Sequence, residues 1–203
     1  MCGKFIDLTS LMILTLTCAC QDTKPSSRDS QSTVHEIPTL GISIELPKKF
    51  CQIPNDSMAT AALVDHLRDS HSAQSMTQFE SYIKKSMPSW TQFADTITAT
   101  TIISIYPYDY TPISKLQANT IGNQLRSRIE QQNSTSNIKA ELQSISTGRS
   151  SAYEFIKFKI SYTDSISSYT NYSYILTRGG HSLAFQVMTT KDDEFDELVA
   201  GIH

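Results

Sequence analysis

The glycine pair Gly179-Gly180 stands between two stretches, residues 169–177 and 182–189, in which apolar and polar side chains alternate, and it constrains this chain more than any other feature. Alternation with period two describes a strand with one buried face. The favoured two-residue hairpin turn needs positive φ at both central positions, which glycine adopts without a steric penalty. An antiparallel hairpin is therefore predicted. Upstream, residues 137–144 and 152–162 carry further strand patterns, with Gly148 punctuating the first junction and Asp164-Ser165-Ile166-Ser167-Ser168 the second. Consecutive antiparallel connections imply a meander, so the C-terminal half is expected to be mainly antiparallel sheet.

The rest of the chain supplies helices and two more strand patterns. Leu40, Ile42, Ile44 and Leu46 alternate with polar residues until Pro47, which places the first strand at Leu40. Asp56 can cap a helical stretch through Ala59, Leu63 and His66, although the apolar run 61–64 fits a strand as well. Thr77-Gln78-Phe79-Glu80 has capping-box spacing ahead of Tyr82 and Ile83, and Pro88 ends that helix. Residues 96–106, rich in Thr and Ile, read as a strand, and Tyr106-Pro107-Tyr108-Asp109-Tyr110 as an aromatic turn. Thr111 and Pro112 then suit the N-cap and first position of a helix whose stripe is Leu116, Ile121, Leu125 and Ile129, fading into Gln131-Gln132-Asn133-Ser134. A short helix with an acidic start, Asp193 and Glu194, followed by Phe195, Leu198, Val199 and Ile202, closes the chain. The sum is one α+β domain over residues 37–203, a mainly antiparallel sheet of five to six strands flanked by helices.

Residues 1–19 do not fit that domain. Lys4 precedes an apolar run over residues 8–16 that is too short to remain as a membrane-spanning helix, and small residues lead into Cys18-Ala19-Cys20. The segment resembles the lipobox of bacterial lipoproteins, which implies cleavage after the small Ala19 and a lipid on Cys20; Cys18 would need Thr17 at the cleaved position. An ordinary secretory signal is the alternative. From Cys20 to Glu36 the chain is polar, with Val34 as the only aliphatic residue after Gln21, and is expected to be a tether. Extended at roughly 3.1 Å per residue, it would reach about 50 Å from the membrane. The expected location is the bacterial cell envelope, the outer membrane favoured, with the domain outside the cytoplasm. In that compartment Cys51 would have no partner after Cys20 takes the lipid, and its neighbours Phe50 and Ile53 suggest an inert buried thiol.

The formal net charge is −3, and Arg126, Arg128, Lys139, Arg149, Lys157 and Lys159 are dispersed, which argues against nucleic acid as a partner. Asp65, His66, Asp69 and His71 are close in sequence, but the two histidines are five apart and fall on different helix faces. They are expected to form a solvated surface and no metal site. His181 is expected at a hairpin tip. The sequence has no Gly-x-Ser-x-Gly elbow, phosphate-binding glycine loop or His-Glu-x-x-His, so neither catalysis nor a cofactor is expected. Tyrosines are the better candidates for recognition. Tyr106, Tyr108 and Tyr110 cluster between strand and helix, and Tyr172 and Tyr174 share one face of a strand. Such rings give contact area at low entropic cost, or else they simply cover the sheet.

The opening Gly41-Ile42-Ser43-Ile44-Glu45-Leu46-Pro47, the helix from Pro112, the strands around the glycine turn and the closing Phe195-Asp196-Glu197-Leu198-Val199-Ala200-Gly201-Ile202 together resemble the PsbP-like fold. That fold includes photosystem extrinsic subunits, a Ran-binding transport factor and small bacterial lipoproteins, most of which bind partners and share no catalytic set. The Cys20 signal and the missing catalytic motifs, beside a resemblance to proteins that mostly bind partners, lead to the expectation of a lipid-anchored envelope binding or accessory protein without catalytic activity, its partner another envelope protein. A carrier of a small apolar or glycan ligand, and an immunity or inhibitor lipoprotein against a toxin, are the alternatives.

Overall fold

The computed structural model describes residues 32–54, 60, 61, 64, 65, 90–165, 168–191 and 195–203. Its strands are β1 Ser32–Ile37, β2 Ile42–Pro47, β3 Phe50–Gln52, β4 Thr91–Asp95, β5 Thr101–Tyr108, β6 Lys139–Arg149, β7 Glu154–Thr163, β8 Ser168–Arg178 and β9 His181–Thr189; the described helices are α1 Lys115–Thr135 and α2 Asp196–Ala200. β1 and β2 form a two-stranded sheet, and the others a seven-stranded sheet in the order β3-β4-β5-β9-β8-β7-β6 with every pairing antiparallel.

The glycine hairpin is present as expected: Arg178 pairs with His181, and Gly179 and Gly180 have φ of 56° and 84°. Pairings of β6 with β7 and β7 with β8 complete the meander. Other boundaries differ from the sequence reading for identifiable reasons. β1 precedes Leu40 and takes residues 32–36 from the stretch expected to be tether, because Ile37 is buried in the core and His35 beside it is half-buried. Of the strand expected over residues 96–106, residues 96–100 form a turn and only the part from Thr101 is strand, β5, while β4 just before it was not anticipated. The Asp95 carboxylate accepts from the amides of Ile97 and Thr98 at 3.0 and 3.1 Å and so offers the backbone a turn in place of a ladder. β5 runs on through Pro107 to Tyr108 where a turn was expected. Past Ile105 it has a partner only on the β9 side, an edge-like position that tolerates proline. Gly148 lies inside β6 and does not end a strand.

α1 begins at Lys115 with Ser114 as its cap, three residues beyond the expected start. Thr111 is occupied elsewhere, its amide donating to Ser182 Oγ and its carbonyl accepting from Thr177 Oγ1. The helix expected over residues 76–87 and His66 and His71 lie outside the described residues, as do Cys20 and the whole of residues 1–19.

The sheet has two covered faces. On one, Phe93, Ile103, Ile105, Tyr174, Phe185 and Val187 pack in a single cluster with Ile37, Ile44 and Leu46 of the small sheet and with Phe195, Val199 and Ile202. On the other, Ala118, Ile121 and Leu125 of α1 meet Ile156, Phe158 and Ile175, while Val64 packs with Ala94 and Ile102 farther along. Burying each large apolar side chain contributes about 1.5–3 kcal/mol before the entropy of ordering is subtracted. The closing residues also join the fold. The Ser43 amide and carbonyl pair with His203 at 3.1 and 3.0 Å and the Glu45 amide donates to Gly201 at 2.9 Å, so β2 is flanked by β1 and by the C-terminus.

Candidate recognition surface

The end of β5, the start of α1 and the β8–β9 hairpin meet at one end of the sheet. Tyr106 and Tyr108, two residues apart on β5, project on the same face. Tyr106 stacks on Trp90, ring centroids 4.4 Å apart and planes 11° from parallel. Tyr108 is 40% exposed, Tyr110 60% and Leu116 78%, the three large hydrophobics of this region that remain open to solvent. The loop between Tyr108 and Leu116, which carries Tyr110, is tied to the β8–β9 hairpin. Thr111 is buried and bonded to both Ser182 and Thr177, whose hydroxyls also bond to each other at 2.7 Å, and the Thr111 hydroxyl donates to the Asp109 carbonyl at 3.0 Å. Exposed rings on a fixed backbone lose little entropy when a partner covers them, which is the arrangement expected of binding anchors.

The sequence grouped five tyrosines as candidates, and the structure separates them. Tyr106, Tyr108 and Tyr110 form the rim. Tyr172 and Tyr174 do share a face, but it is the covered one: they are 3% and 0% exposed. β8 has a strand on either side, and its Tyr172, Tyr174 and Leu176 face the small sheet and the C-terminal segment. Tyr172 lies 5.3 Å from Phe195, and Tyr174 packs between Phe155 and Phe185 while its hydroxyl donates to Asp196 Oδ1 at 2.6 Å. The same carboxylate oxygen takes Lys157 Nζ at 2.6 Å, and the Lys157 ammonium also lies over both tyrosine rings. Burial pushes the Asp196 carboxyl up, but bonds from Lys157 and Tyr174 outweigh this and hold it below its usual value. These two tyrosines fasten α2 to the sheet and are not available to a partner.

Trp90 and Leu116 were missed as members of the rim. Trp90 is the only tryptophan in the chain and follows Pro88-Ser89, a signal that could have marked it. Leu116 was assigned to the buried stripe of α1, whose buried residues are instead Ala118 and Gly122. His181 is exposed at the hairpin tip, as expected. Cys51 is a free, half-buried thiol on β3. No described helix is long and apolar enough to cross a membrane, and no group of three His, Cys, Asp or Glu side chains suited to a metal occurs among the described residues.

No family model and no curated protein matches the sequence. Among solved structures, the chain is similar to the solution structure of cyanobacterial PsbP, CyanoP, from Synechocystis, with a TM-score of 0.55 and 12% identity over 90% of this chain and 97% of that one. A crystal structure from Bacteroides thetaiotaomicron aligns more loosely, with a TM-score of 0.49 and 11% identity over 85% of this chain and 48% of that one. At such identities the likeness concerns the backbone alone. With a mainly antiparallel sheet and an alignment to CyanoP along nearly its full length, the chain has a PsbP-like α+β fold.

Proposed function

We propose that this protein is a lipid-anchored binding or accessory subunit of the bacterial cell envelope, without catalytic activity, joined to a membrane through Cys20 and recognising another envelope protein through the rim of Trp90, Tyr106, Tyr108, Tyr110 and Leu116. The observation that carries the reading is the exposure of Tyr108 at the end of β5, Tyr110 on the following loop and Leu116 in the first turn of α1, around a loop tied down by Thr111, Thr177 and Ser182. Large exposed apolar groups on rigid backbone cost solubility and are most simply explained by a partner that covers them. The lipobox-like Leu16-Thr17-Cys18-Ala19-Cys20 supports the anchor. A lipid on one end and a recognition surface on the domain together make an adaptor that holds its partner at a membrane.

Cross-linking in intact cells, with recovery of the tagged chain, tests both parts. Wild-type protein should bring down one stoichiometric envelope protein, and Tyr108→Ser with Tyr110→Ser should reduce that recovery at least tenfold while shifting stability by less than about 0.5 kcal/mol, because both side chains are exposed. Equal recovery with the double variant would remove the rim from the reading. Cys20→Ser should abolish fatty-acid labelling and release the protein from membranes, and persistent labelling would remove Cys20.

A further inference from the structure

β1 is attached to the domain by its pairing with β2, by Ile37 in the core and by His35. The His35 ring meets Phe93 edge-on, centroids 4.9 Å apart and planes 62° from parallel. Its Nε2 is buried without a hydrogen-bond partner. Opposite it on β2 stands Ile44, which is fully buried. A neutral imidazole tolerates this site at the cost of one unsatisfied nitrogen. The imidazolium does not, since both its nitrogens carry N–H donors and one would point into apolar surroundings as part of a buried cation.

Among the described residues no charge offsets that cost. β2 presents Ile42, Ile44 and Leu46 on the inward face, and β4 presents Phe93. Two residues along β4, Asp95 is committed to Lys49 at 3.2 Å and to Thr98. Glu36 and Glu45 are on the outward, exposed side of the small sheet, where Glu45 accepts from the Ser32 hydroxyl. Burial accordingly pushes the His35 imidazole below its usual value of 6.5.

We propose that β1 is an acid-released strap, protonation of His35 undocking Ser32–Ile37 from the domain while the seven-stranded sheet stays folded. Released, the strand's six residues add about 20 Å of reach at roughly 3.3 Å each. The undocking is independent of the lipid; only its use as added reach from a membrane rests on the function proposed above. The direction follows from linkage. The docked state keeps the ring neutral while the released strand protonates at the ordinary value, so docking is fully present above that value and is lost as pH falls from it through the docked state's lower one.

Hydrogen exchange on the full chain at pH 7.5 and 5.0, corrected for intrinsic rates, tests this. Protection of the β1 amides should fall roughly tenfold at the lower pH while β7 and β8 keep theirs. His35→Phe, which keeps a ring against Phe93 and removes the proton site, should hold β1 protected at both pH values; His35→Leu is a second variant with the same expectation. Unchanged β1 protection in the wild type, a loss that persists in both variants, or a loss spread evenly over the sheet would each overturn the proposal.

Discussion

Asp95 ends β4 with a carboxylate that is 0% exposed, yet it accepts from the amides of Ile97 and Thr98, from the Thr98 hydroxyl at 2.8 Å and from Lys49 at 3.2 Å. Burial alone would raise its pKa. The Thr98 hydroxyl and amide, then the Lys49 ammonium, reverse the sign and hold it below 3.8. The stability it contributes is therefore present above the ordinary aspartate value and is lost as pH falls through the folded state's lower one. Asp95→Asn keeps the shape but turns one acceptor into a donor facing donors, and leaves Lys49 unpaired. It should cost about 3 kcal/mol at pH 7, and the gap to wild type should narrow as the solution is taken below pH 3, read as urea midpoints at both pH values. A gap that does not change with pH would mean that the carboxylate matters for its shape and not for its charge.

At the scale of elements, the same residue explains what sequence patterns could and could not reveal. Periodicity made the β8–β9 hairpin and α1 legible, because Gly179-Gly180 and the spacing of Ile121, Leu125 and Ile129 are local signals. The turn between β4 and β5 was hidden, since residues 96–100 look strand-like and are bent by the Asp95 side chain, by the Ala99 amide bonding to the Asp95 carbonyl and by a positive φ at Ala99. Tyr172 and Tyr174 were legible as one face but not as the covered one, because the cover comes from β1–β2 and the C-terminus, far away in sequence. Gly148 was noticed for the wrong reason. A Cβ there would stand 2.4 and 2.7 Å from atoms of the Phe155 ring on β7, so glycine is needed to let that ring lie across β6. Gly148→Ala should push Phe155 away from Tyr174, now 5.8 Å between centroids, and cost about 1–3 kcal/mol. Made in a Phe155→Leu background the same change should cost measurably less, and a double-mutant cycle with no coupling would refute the ring contact as the cause.

At the scale of the molecule, the small sheet is closed by the residues at 201–203. β1 begins the described chain on one side of β2, and Gly201 to His203 pair with the other side, while Ile202 is 0% exposed among the residues of both sheets. Closing residues that tie down β2 join segments distant in sequence into one cooperative unit, and those three residues become more costly to lose than an exposed tail would be. Removing Ile202 from the core by Ile202→Ala should cost about 2–5 kcal/mol. Deleting residues 201–203 removes the same side chain and also the bonds to the Ser43 amide and carbonyl and to the Glu45 amide, so it should be worse by about 1–3 kcal/mol. With a urea slope of about 2 kcal/mol per molar, the two changes differ by roughly 0.5–1.5 M in midpoint. If the tail is part of the unit, both variants still unfold in one transition at lower urea, with β2 and β9 losing hydrogen-exchange protection together. A deletion no worse than Ile202→Ala would mean that the backbone pairing at β2 contributes nothing, leaving the side chain of Ile202 as the whole of the closure.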